Sequence, residues 1–124
     1  LTPIMSTKRI DLAPHTRPHG VAWFAADRIA VTTEGSRHVL LVEPASGRVV
    51  SAIETAQETS HMVVVSADAR RAYITNIGSG TTTAIDLVAG RAYDLKLEYH
   101  ESQEKAWIQL LWSSPSTPGM ISIR

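Results

Sequence analysis

The sequence predicts an all-β chain: two propeller-like antiparallel blades followed by a C-terminal β-hairpin. Three observations predict it. Ile29–Arg48 lines up without a gap on Ala72–Arg91, so that Thr32, Gly35, Ser36, Gly47 and Arg48 recur as Thr75, Gly78, Ser79, Gly90 and Arg91. A self-similar period of roughly 40–45 residues built of short strands is the mark of a propeller blade. Apolar residues alternate or run in fours and fives and do not recur at helical spacing. Turn-forming groups fall at intervals of about ten residues, as in up-and-down antiparallel sheets. The same strands could instead collapse into a two-sheet β-sandwich that covers its apolar faces internally.

The elements follow in order. Lys8–Leu12 alternates and is expected as a strand. Gly20–Phe24 and Ile29–Thr33 flank Ala26-Asp27, and His38–Glu43 follows the turn Glu34-Gly35-Ser36. Arg48–Ile53 comes after Ala45-Ser46-Gly47 and completes the first blade. Met62–Ser66, Ala72–Asn76 and Thr82–Leu87 repeat the pattern around Ala67-Asp68-Ala69 and Gly78-Ser79-Gly80. Ala92–His100 and Ala106–Ser113 form the hairpin. Small and Asx-type residues supply each turn because they tolerate left-handed backbone or bond locally to it. The boundary is drawn at residue 90, with 1–90 as the repeat segment and 91–124 as hairpin and tail packed on the same domain.

Pro18-His19-Gly20-Val21-Ala22, Arg28–Thr33, Val39–Glu43 and Ser46-Gly47-Arg48-Val49 together resemble one repeat of the bacterial YVTN-type propeller family. Ala72-Tyr73-Ile74-Thr75-Asn76 matches the eponymous motif, and Ala84-Ile85-Asp86 the string after it; Ser60-His61-Met62-Val63 departs from the family's Pro-x-Gly. Lys8–Ala13 resembles the last strand of a preceding blade. This resemblance covers about residues 7–90. From about residue 88 to 115, Tyr93, Tyr99, Leu110 and Trp112 fall as in the C-terminal hairpin of the protective-antigen-type carbohydrate-binding domain. That hairpin covers about a quarter of the domain, and the family's calcium- and sugar-binding loops lie outside it. Together the resemblances imply a binding role and a periplasmic or extracellular setting.

Composition bounds the rest. Basic and acidic residues balance at 12 each, so no long-range field favours nucleic acid or an anionic membrane. No stretch approaches the roughly 18 apolar residues of a membrane span. Cysteine is absent, which removes disulfides, thiolate metal sites and cysteine nucleophiles together.

Candidate chemistry is sparse. His19 and His61 occupy equivalent positions near the inner strands, where a pair could hold an anion or a metal; the plainer reading is two half-buried rings satisfied by backbone groups. His15 and His19 are four apart, but Pro14, Pro18 and Gly20 exclude the helix that spacing needs; a loop site with a third ligand is then the metal reading, and solvated loop histidines the plainer one. Glu98, His100, Glu101 and Glu104 cluster at the hairpin tip, where a carboxylate–imidazole group could hold a hard or borderline cation; a polar strand face running into a turn is the plainer account. Trp107 is the candidate recognition residue, because it alternates away from Trp112 and an exposed indole can stack on a sugar or a partner; a core or interface position is the plainer reading. No G-x-S-x-G elbow or phosphate loop occurs. No catalytic residue, cofactor or metal is therefore expected.

The leading functional expectation is a non-enzymatic interaction module engaging protein or glycan through blade loops or an exposed sheet face. The alternatives are a fragment of a larger propeller enzyme or redox protein, and a recombined or artificial chain without evolved activity. Two blades are fewer than the about four to eight that close a propeller. Self-association, or a place within a longer chain, is expected to follow.

Overall fold

The computed structural model describes residues 7–88, 90–102, 105–114 and 117–123, with side chains through residue 92. Among these the chain is all-β and forms two antiparallel sheets. Sheet 1 is an up-and-down meander of β1 (Pro18–Ala25), β2 (Arg28–Thr33), β3 (His38–Glu43) and β4 (Arg48–Glu54). Sheet 2 continues with β5 (Ser60–Val65), β6 (Arg71–Asn76), β7 (Thr81–Asp86), β8 (Arg91–Ser102), β9 (Lys105–Ser114) and β10 (Thr117–Ile123), each paired with the next. No described helix is long and apolar enough to cross a membrane.

The repeat in sequence becomes a repeat in register. β2 pairs with β3 through Ala30↔Leu41 and Val31↔Leu40, and β6 pairs with β7 through the equivalent Tyr73↔Ala84 and Ile74↔Thr83. Because side chains alternate across a strand, each sheet presents two faces. Sheet 1 sets Ala30, Val39, Leu41 and Ile53 against Val63, Ala72, Ile74 and Ile85 of sheet 2, and these form the principal core. Val31, Leu40 and Val42 point the other way, where Ile10, Leu12, Ile29 and Val49 cover them. Leu40, Ile74 and Ile85 are fully buried; each contributes about 1.5–3 kcal/mol by leaving water.

Two expectations are corrected here. Residues 7–12 make no strand. Ile10 and Leu12 lie against the outward face of sheet 1, where side chains can pack but no backbone ladder is offered. The hairpin gains a further strand, β10, which pairs with β9 from Thr117↔Ser114 to Ile123↔Ile108. That stretch, expected as tail, carries Pro118 and Gly119, which disfavour a strand locally, and ladder partners from β9 override the local signal.

At one end of the interface between the sheets runs a buried polar chain. The hydroxyls of Thr55, after β4, and Ser60 lie 2.8 Å apart and share a hydrogen bond. Ser60 donates to Asn76 Oδ1 at 3.0 Å, and Asn76 Nδ2 donates to Thr83 at 2.8 Å. All four residues are buried, and no described buried side-chain polar atom lacks a partner.

Titration sets a direction for stability. Burial pushes His15 below its ordinary 6.5, and nearby His38 adds to that. The Ser46 hydroxyl, with Arg28 and Arg48, lowers Glu43, and the Ser66 hydroxyl and Arg70 N–H lower Asp68. In each case the unfolded chain binds more protons than the folded one between the two pKa values, so stability rises with pH there. The melting temperature should level off above about pH 7, decline as pH falls below about 6.5, and decline again below about 4.5 as the carboxylates protonate. Thermal melts from pH 8 to 3 test this, and a melting temperature that rises on acidification from pH 7 to 6 would contradict it.

Candidate functional site

The inner strands β1 and β5 lie side by side, and Gly20 is the reason they can. A Cβ at that position would stand 2.6 Å from the His61 carbonyl oxygen and 3.0 Å from Met62 Cα. In the space left by the missing side chain, Thr32 Oγ1 accepts the Gly20 N–H at 2.7 Å and donates to the His61 carbonyl. One threonine hydroxyl thus joins β1, β2 and β5.

Both inner strands break register at their histidines, between Pro18 and Val21 in β1 and between Ser60 and Met62 in β5. Such irregularities re-aim side chains out of strict alternation. The result is that the His19 and His61 rings stack, with centroids 3.9 Å apart and planes inclined by 30°. Glu34, in the turn after β2, completes the group. Its Oε1 lies 2.5 Å from His61 Nδ1, and its Oε2 accepts from the Arg17 guanidinium at 3.2 Å. The Glu34 side chain is only 10% exposed, against 28% for His61, so the carboxylate sits at the floor of the cluster. The hydrogen bond from His61 is the main cause holding the Glu34 carboxyl below its ordinary range, and His19 and Arg17 act in the same direction. The donor atoms of His19, Glu34 and His61 all lie within 4.8 Å of one another.

Sequence equivalence pointed to His19 and His61, and the structure brings them into contact. His19 is exposed, while His61 is half-buried and bonded to a carboxylate. Glu34 was missed as a functional residue because a Glu-Gly-Ser string reads as a turn. The usable signal was the repeat itself, in which Glu34 corresponds to Ile77, so a charge stands in one copy where the other has an apolar residue. His15 does not join His19; its ring lies 4.8 Å from that of His38 instead.

At the other end of β1 and β5 an open groove of about 640 Å³ runs between the β1–β2 and β5–β6 turns, lined by Trp23, Phe24 and Val65 among others. Trp23 is 64% exposed. Trp107 lies on β9 opposite His100. Its side chain falls outside the described residues, as do those of Trp112, Glu98, His100 and Glu101, while Glu104 is undescribed altogether. No protein-family model matches the chain, and no curated protein does either.

Proposed function

We propose that the chain is a non-enzymatic interaction module whose sheets associate head to tail with sheets of their own kind, the partner being a second copy of this chain. One observation carries the reading: the exposed apolar residues of the inner strands are the repeat counterparts of residues covered inside the chain. Val21 and Trp23 are exposed on the outward face of sheet 1, and their counterparts Val63 and Val65 pack into the core between the sheets. Met62 and Val64 are exposed on the outward face of sheet 2, and their counterparts are the buried Gly20 and the core-packed Ala22.

The contact between the two sheets is therefore heterologous, front of one against back of the next, and the exposed inner-strand strips, Val21 and Trp23 beside the part of sheet 1 that Ile10 and Leu12 cover, and Met62 and Val64 on sheet 2, are of the type already used once. Repetition of a heterologous contact gives a ring if the rotation closes and a filament if it does not. Met62 in place of a glycine holds the next inner strand further off than β5 is held from β1, so the contact between copies is looser than the one within the chain. Apolar side chains clustered on unpaired faces favour association over a lone soluble sheet pair.

Light scattering from low to high micromolar concentration tests this. The wild type should pass from monomer to higher-order species. Val64→Lys, at a position 61% exposed, should remain monomeric and melt within about 0.5 kcal/mol of the parent. A wild-type chain that stays a cooperatively unfolding monomer at high micromolar concentration would overturn the reading.

A further inference from the structure

We propose that His19, Glu34 and His61 form a binding site for one divalent first-row transition-metal ion, of the zinc class, at the junction of the two sheets. The inference is independent of self-association, since all three residues belong to one chain.

The donor set selects the ligand class. Two imidazoles and one carboxylate suit zinc, cobalt, nickel or copper, whereas magnesium and calcium require oxygen ligands in greater number. A tetrahedral ion with bonds of about 2.0–2.2 Å places its donors roughly 3.3–3.5 Å apart. The three donors already fall within 4.8 Å, and His61 Nδ1 and Glu34 Oε1 are at 2.5 Å. Metal binding therefore parts His61 Nδ1 and Glu34 Oε1 by about 1 Å, with release to solvent of the proton they share, and draws His19 inward; these are side-chain movements. His19 is exposed and free to make its own.

The scaffold is built to hold the donors. His19 comes from β1, His61 from β5 and Glu34 from the turn after β2, and the Thr32 hydroxyl of β2 bonds to the backbone of β1 at Gly20 and of β5 at His61, each next to or at a ligand residue. The turn bearing Glu34 is anchored by its own N–H to the Arg17 carbonyl at 2.9 Å, and the next N–H, from Gly35, reaches the Thr16 carbonyl at 3.2 Å. Arg17 takes Oε2, which leaves Oε1 directed at the imidazoles. Outer partners of this kind fix the orientation of a ligating carboxylate.

The charge pattern favours a cation over an anion. The least exposed member of the cluster is the carboxylate, and the guanidinium nearest to it is already paired with that carboxylate. An anion placed between the rings would face Glu34 Oε1. Three protein ligands leave a fourth position for water or an exchangeable donor, so the site is open rather than closed. Histidines scattered along a sequence count against a metal site. The fold removes that argument, because sheet apposition makes neighbours of residues that the chain keeps far apart.

The test uses the full chain stripped of metal, titrated with Co(II) and followed by its visible absorption, then with Zn(II) by calorimetry. One equivalent should bind, and excess Mg(II) or Ca(II) should not displace it. His19→Ala, at an exposed position that leaves the fold intact, should weaken binding at least tenfold; His61→Ala and Glu34→Gln should do the same. The variant with both His15→Ala and His38→Ala removes the other ring pair and should bind as the parent does. Saturating zinc should raise the melting temperature of the parent and not of His19→Ala, since a ligand bound only by the folded state stabilises it. Absence of stoichiometric binding, or binding that survives His19→Ala, or binding lost with His15 and His38, would each overturn the site. A monomeric chain that binds one equivalent would sink the self-association reading alone, and an oligomer that binds none would sink the metal site alone.

Discussion

Gly20→Ala should cost about 3 kcal/mol of folding stability, a large fraction of the roughly 5–15 kcal/mol that holds a domain together. The added methyl would stand 2.6 Å from the His61 carbonyl oxygen and 2.9 Å from Thr32 Oγ1. Neither can yield cheaply. The carbonyl belongs to the backbone of β5, and Thr32 is held by its bonds to both inner strands. Relief requires the strands to separate, which breaks the threonine bridge and parts the stacked histidines. Gly47 provides the contrast, because its φ is +76° but the nearest atom to an added Cβ is 3.6 Å away. Gly47→Ala should cost only the left-handed backbone penalty of about 1–2 kcal/mol. Urea unfolding of both variants separates crowding from conformation. A Gly20→Ala chain within about 0.5 kcal/mol of the parent would show that β1 and β5 are not in close contact.

The second large effect is expected at Asn76. Asn76→Leu keeps a similar bulk but leaves the Ser60 proton and the Thr83 hydroxyl without their partner in a buried setting. An orphaned buried polar group costs about 1–3 kcal/mol, so a loss of about 2–4 kcal/mol is expected for the pair. The change should also be non-additive, as linked groups are. Ser60→Ala made in the Asn76→Leu background should cost less than Ser60→Ala alone, because the stranded hydroxyl is then gone. A double-variant cycle read from denaturant midpoints checks this. Strict additivity would mean that the four side chains do not act as a network. The asparagine of the repeated motif thus acts as a polar fastener at the interface between the sheets. Its counterpart in the first copy, Thr33, bonds locally to the His38 carbonyl and to Ser36.

What the sequence by itself determined was local. Alternation, β-branched content and turn residues carry the strands from β1 to β9, because a strand's faces and a turn's backbone depend on residues a few positions apart. The repeat carried the equivalence of the two sheets, including that of His19 with His61. Only the tertiary structure decided what those elements meet. Lys8–Leu12 has the pattern of a strand, but it lies over a sheet face and forms no ladder. Thr117–Ile123 has Pro and Gly, yet finds a partner in β9. Glu34 reads as a turn residue until β5 is laid against β1 and His61 arrives at its carboxylate. The physical reason is the same each time: pairing, burial and charge contact are properties of two segments at once, and the spacing along one chain does not contain the distance across two sheets.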